Sequence, residues 1–166
     1  MTSSGSTLLF GAIPAELKPS TAEKRELVQF LHTLCRRLAG SRPIVGLLAD
    51  DARLRQLNRD FLGCDYATDV LSFPATHFKP ESGEIAISLE RAAAQAAEFG
   101  HALLDEIKIL LLHGTLHLTG LDHEKDGGVM EREEQRWRAE FQLPETLIAR
   151  ASRSNRRLPK HRKGAA

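Results

Sequence analysis

The run IKILLLHGTLHL, residues 107–118, constrains the fold of this chain more than any other stretch. It is apolar on nearly every side, which a helix in water tolerates only when it is central and buried. Yet it carries two imidazoles, His113 and His117, one helical turn apart and therefore on one face. A fold built around it must cover the helix on its flanks and still leave a polar centre at its C-terminal end. With 166 residues, 42% hydrophobic and 27% charged, the chain is long enough to do so as one domain with a substantial core.

The segments before this helix alternate in period. TLLFGA (7–12) reads as a first strand. Ser20 with Glu23 three residues on is a capping box, opening a helix with the apolar stripe Leu27, Leu31, Leu34 and Leu38 and a stop at Gly40. PIVGLLA (43–49) reads as a buried strand, followed by a helix capped by Asp51 with Leu54, Leu57 and Phe61 directed inward. TDVLSFP (68–74) and GEIAISLE (83–90) are strand-like. Ser88 caps an alanine-rich helix to Gly100, the histidine helix runs from about Ala102 to Leu118, and a last helix from about Gly128 to Phe141 carries Met130, Glu134, Trp137 and Phe141 at helical spacing. The order predicts an α+β domain: a small mixed sheet of about four strands packed with helices, the metal site lying on a central helix.

The helix continues into HGTLHLTGLDH, residues 113–123. Gly120 allows a sharp turn with positive φ, so that His123 can return beside the other two histidines as a third nitrogen ligand. Three protein ligands leave a fourth tetrahedral position open, the catalytic rather than the structural pattern. One zinc ion is the default choice for three imidazoles, although nickel or copper also bind them. The remaining histidines read differently: His101 as a cap or surface residue at a helix start, His77 in a loop, His32 and His161 solvated. In HExxH zinc proteases a glutamate after the first histidine takes a proton from the metal-bound water. Here that position is Gly114, so any base must come from elsewhere. Asp122, Glu124 and Asp126 flank the third histidine; Asp122 is a candidate for orienting a ligand or for general-base work.

HGTLHLTGLDH closely resembles the HGxLHLxGxDH signature of the YbeY family of bacterial rRNA maturation endoribonucleases. A second block, LNRDFLGCDYATDVLSFP (57–74), resembles the other hallmark of that family, and GEIAIS (83–88) the strand that follows it there. The resemblance spans about residues 43–141 and implies a fold distantly like the zinc proteases. It implies a single-strand-specific, zinc-dependent endoribonuclease acting in 16S rRNA 3′-end maturation and ribosome quality control. Its partners would be 16S rRNA, the small ribosomal subunit and its proteins. By position the metal ligands are His113, His117 and His123, while Thr68, Asp69 and Ser72 shape the cleft. The chain departs from the family pattern YRGxDxPTDVLSFP at two positions: the family arginine is Leu62 and its proline is Ala67. The lost guanidinium removes a bidentate phosphate clamp, a role that Arg59, one turn earlier on the same helix, is placed to take over.

Charge divides the chain. All 22 acidic residues lie at or before Glu145, whereas seven of the 23 basic residues lie from Arg150 onward, so residues 1–149 carry a formal −6 and residues 150–166 carry +7. We expect a single domain over 1–149 and a disordered basic tail over 150–166, which either solubilises the chain or joins Arg55, Arg59 or Arg91 in holding RNA phosphates. Cys35 and Cys64 lack CxxC spacing and read as reduced thiols. No stretch approaches the roughly 20 apolar residues of a membrane span, and the N-terminus has no basic start to suggest a signal peptide. The expectation is a cytoplasmic protein with no membrane partner. Two other functions compete with RNA cleavage: a ribosome-assembly RNA-binding factor with a mainly structural zinc site, favoured by Leu62, and a metal-dependent peptide hydrolase, disfavoured by Gly114.

Overall fold

The computed structural model describes residues 5–74, 83–122 and 124–144. In chain order the elements are β1 (Thr7–Phe10), a 3-10 turn (Ala15–Leu17), α1 (Thr21–Leu38), β2 (Ile44–Ala49), α2 (Asp51–Leu62), β3 (Val70–Phe73), β4 (Gly83–Ser88), α3 (Leu89–Phe99), α4 (Leu103–Leu118) and α5 (Val129–Glu140). The four strands form one mixed sheet in the order β1-β2-β4-β3. β1, β2 and β4 run parallel, and β3 closes the far edge antiparallel to β4. The expected α+β class and strand number are thus observed.

The sheet has two unequal faces, set by the alternation of side chains along each strand. Leu8, Ile44, Leu48, Ile85 and Ile87 belong to the main core together with Leu27, Leu31 and Leu34 of α1 and the apolar length of α4. Ala49, Leu71 and Ala86 point the other way and meet Leu54 of α2, with Leu57 and Phe73 at the margin. α1 and α4 therefore cover one face, and α2 covers the other.

Local signals account for most boundaries. In the capping box of α1, Glu23 N donates to Ser20 Oγ at 3.1 Å and Ser20 N to Glu23 Oε1 at 3.0 Å. Ser88 caps α3, accepting from Arg91 N, and Gly63 and Gly100 end α2 and α3 in the left-handed region. The cap of α2 is Asp50 rather than Asp51; Asp51 Oδ1 instead accepts from Ser88 Oγ at 2.6 Å and Arg91 Nε at 3.2 Å.

α2 departs from its predicted inward stripe. Leu54 is buried, but Phe61 is 68% exposed, and the second buried residue of the helix is Asn58. The face that α2 covers is small and ends at edge strand β3, so the last turn overhangs it, and Phe61 makes a ring contact with Phe73 at 5.4 Å. Asn58 can occupy an inward position because its Nδ2 donates to Tyr66 O at 3.0 Å.

Two further histidines, His32 read as solvated and His101 as a cap or surface residue, are also engaged. His32 Nε2 lies 3.0 Å from Ser6 O, tying α1 to the start of β1. His101 Nε2 lies 2.5 Å from Oε2 of fully buried Glu106. Cys35 and Cys64 are free thiols, as predicted. His77, His161 and the basic tail lie outside the described residues.

Candidate metal centre

α4 is buried almost continuously from Glu106 to Leu116, and its last two turns carry the histidines. His113 is 7% exposed, and its Nε2 stands 3.2 Å from Nε2 of His117. The partners of the opposite ring nitrogens determine what this contact means. His117 Nδ1 lies 3.1 Å from Leu121 O, and a carbonyl only accepts, so Nδ1 carries the proton. His113 Nδ1 lies 2.9 Å from Oε2 of Glu134, a carboxylate with no exposed surface, and donates in the same way. With Nδ1 of each ring so engaged, the two Nε2 atoms converge at the C-terminal end of the helix, a separation that suits a shared metal ion or a shared proton.

The turn after α4 makes half of this arrangement. Gly120 takes φ +93°, with its N–H on His117 O at 3.0 Å, and the reversal returns Leu121 O to the His117 ring. His123 lies outside the described residues, and among those described no group of three metal-capable His, Cys, Asp or Glu residues occurs. Asp122 belongs to the same turn: its Oδ1 accepts from Glu124 N at 3.0 Å and its carbonyl from Lys125 N at 3.1 Å.

Glu134 comes from α5, and sequence reasoning gave it no role. The available signal was a carboxylate on an otherwise apolar stripe with Met130 and Trp137, all three buried. A carboxylate at such a position needs a polar partner, and the imidazole of His113 is one.

Gly114 has a structural explanation. A Cβ at this position would lie 2.9 Å from Ile85 Cγ2 and 3.0 Å from Ser72 Oγ, and Ser72 Oγ donates to Gly114 O at 3.1 Å. The position that bears the protease glutamate is here pressed onto the sheet. No acidic side chain fits there without separating α4 from β3 and β4.

The other predicted residues fall elsewhere. Arg59 is exposed on α2, with Nε 3.3 Å from Asp60 Oδ1, across the sheet from the histidine helix. Arg55 forms a bidentate pair with Asp65 at 2.8 and 3.1 Å, and Arg91 pairs with Asp51. The guanidinium of Arg55 holds the Asp65 carboxyl below the ordinary carboxylate range, chiefly through its hydrogen bond. Thr68 and Asp69 order the entry to β3: Asp69 Oδ1 accepts from Val70 N at 2.8 Å and Oδ2 from Gln95 Nε2 at 3.0 Å.

The fold and centre define an α+β domain whose buried central helix presents paired imidazoles, each backed by its own acceptor. Comparison with known proteins identifies the family. The family model described as Endoribonuclease YbeY matches residues 19–142. An Endoribonuclease YbeY of Solibacter usitatus is 50% identical over 146 residues, 88% of this chain and 95% of the relative. That of Koribacter versatilis is 44% identical, with the same coverage of both chains. The solution structure of TM1509 from Thermotoga maritima shares the fold, with a TM-score of 0.55 at 23% identity, over 81% of this chain and 91% of that one. The chain belongs to the YbeY endoribonuclease family, a family of RNA-cleaving hydrolases. Among the described residues no helix is long and apolar enough to cross a membrane.

Proposed function

We propose that this protein is a zinc-dependent endoribonuclease that cuts single-stranded RNA, with His113, His117 and His123 as the ligands of one ion. Its substrate would be the 3′ end of 16S rRNA, in maturation and quality control of the small ribosomal subunit in the cytoplasm. The observation that carries the metal reading is the pair of converging Nε2 atoms, each on a ring whose Nδ1 is already engaged. Zinc–imidazole bonds of roughly 2.0–2.1 Å at a tetrahedral angle put two ligand nitrogens about 3.3 Å apart. The separation of 3.2 Å fits that value.

When bound, the ion would supply Lewis acidity toward a phosphoryl oxygen or a bound water. The protein supplies the rest. Glu134 and Leu121 O keep the proton of each ring on Nδ1, which fixes the orientation of both imidazoles. The α4–β3 contact at Gly114 and Ser72 holds the helix against the sheet. Asp122, in the turn before His123, is our candidate for the proton-handling group, and Arg59 for the phosphate contact around the β3 edge.

The test is zinc content and RNA cleavage measured on the same preparations. His117→Ala should lose most of its zinc and its cleavage of an unstructured RNA, whereas His32→Ala should keep both. Equal zinc in His117→Ala and the parent would refute the site. RNA binding without metal-dependent cutting would instead favour an assembly factor, a reading that Leu62 in place of the family arginine supports.

A further inference from the structure

Two of the most exposed aromatic rings among the described residues lie on one connection, between α2 and β3: Phe61 at 68% and Tyr66 at 61% exposure, with Leu62 between them at 55%. The connection is firmly held. Buried Asn58 donates to Tyr66 O at 3.0 Å, and the Arg55–Asp65 pair clamps the preceding residue with two hydrogen bonds of 2.8 and 3.1 Å. Phe61 rests on Phe73 at a centroid distance of 5.4 Å. A shallow hollow of about 410 Å³, lined by Asp51, Ala52, Arg55, Asp65, Tyr66 and Ala67, opens beside the tyrosine. A buried amide and a bidentate ion pair are thus engaged in presenting apolar rings to water.

The connection and the histidine centre lie on opposite faces of the sheet at the same edge strand. Phe73, beneath Phe61, faces α2, whereas its neighbour Ser72 faces α4, where its Oγ donates to the carbonyl of Gly114, the residue after His113. β3 is the edge strand, so a single strand can pass around it from one face to the other. We infer that Phe61 and Tyr66 form a base-stacking platform for single-stranded RNA, receiving unpaired bases of a strand that passes around the β3 edge to the histidine centre. This rests on the RNA-cleaving reading above and names how the single strand is recognised. Unstacked bases offer π-faces to aromatic side chains, whereas bases in a duplex are occupied by their neighbours. A rigid platform also loses little conformational freedom on binding.

The charge pattern distinguishes this mode from simple phosphate attraction. Arg55 and Arg59 already have carboxylate partners in Asp65 and Asp60, so the patch carries little unbalanced positive charge. Affinity gained here should therefore depend on the rings and only weakly on salt.

The experiment uses the full, zinc-loaded chain with a short fluorescent 2′-O-methyl oligoadenylate for binding and an unstructured RNA for cleavage. Phe61→Ala and Tyr66→Ala should each weaken binding roughly five- to hundred-fold. The slope of log affinity against log salt should not change, and KM should rise while kcat at saturation stays constant. Phe61→Trp should bind like the parent. Both alanine sites are exposed, and an unchanged thermal midpoint would show that the fold is intact. Binding by the double alanine variant within about twofold of the parent would overturn the platform. So would a parent that self-associates while the double variant is monomeric, since the patch would then be an interface between copies. If the parent neither binds nor cuts RNA, the functional reading falls and the platform with it. If the parent cuts, His117→Ala does not, and the ring variants match the parent, the platform alone falls.

Discussion

Near each end of α4 a histidine is paired to a buried glutamate, His101 just before the helix and His113 in its C-terminal half, and the two pairs have opposite consequences. At the N-terminal end His101 uses Nε2, the nitrogen farthest from its backbone, on Glu106 five residues ahead. The tip of the ring is consumed, and the pair ties the α3–α4 connection to the first turn of the helix. At the C-terminal end His113 uses Nδ1, the nitrogen nearest its backbone, on Glu134 of a different helix. Its tip is left directed at His117. Both glutamates are fully buried, so burial alone does not separate a structural pair from a functional one. The nitrogen that the carboxylate engages makes the difference.

The largest effect should come from His117→Ala, which removes one of the two facing nitrogens: metal-dependent cleavage should disappear in a single-turnover assay, with little change in thermal midpoint. Next, Glu134→Leu should weaken zinc affinity about 10- to 100-fold by releasing the His113 ring, with Glu134→Gln intermediate because its amide oxygen still accepts. The equivalent change at the other end, His101→Ala, should leave zinc affinity unaltered and lower unfolding free energy by about 1–3 kcal/mol. Competition with a metal indicator and denaturant melts separate the two outcomes. If His101→Ala lowers zinc affinity as much as Glu134→Leu, the two ends are not distinct.

A smaller effect is expected at Leu62, where the family arginine is absent. Its exposure on the last turn of α2 lets an arginine keep its charge in water, so Leu62→Arg should fold normally and raise cleavage of one unstructured RNA a few-fold. Arg59→Ala should lower cleavage in the parent and matter less in that background; no change from either would leave the histidine centre without a guanidinium partner. The smallest effect concerns pH. Because the folded Asp65 carboxyl lies below its ordinary value, the Arg55–Asp65 clamp contributes above the unfolded aspartate pKa of about 3.9 and is lost as pH falls through the lower folded value. Amide protection factors at residues 63–69, corrected for the intrinsic pH dependence of exchange, should therefore fall below about pH 4 and lose that dependence in Arg55→Gln.

Features governed by neighbours a few residues apart were readable in advance. The capping box at Ser20, the Leu27–Leu31–Leu34 stripe, the buried length of α4 and the shared face of His113 and His117 all follow from helical spacing. The turn at Gly120 follows from conformational freedom that other residues lack. Features that depend on how elements pack against one another were not readable. Phe61 has the right spacing for burial but overhangs a small sheet face.

The amino-acid order alone therefore determined the elements, the two imidazoles on one turn and the family to which the chain belongs. The tertiary structure decided that Glu134, 21 residues beyond His113 on α5, engages Nδ1 and leaves Nε2 facing His117. It also decided that Gly114 lies against Ile85 and Ser72, where a glutamate has no room. The reason is physical: periodicity specifies which side of a helix is apolar, whereas the neighbour covering that side is selected by strand order and helix packing over the whole chain.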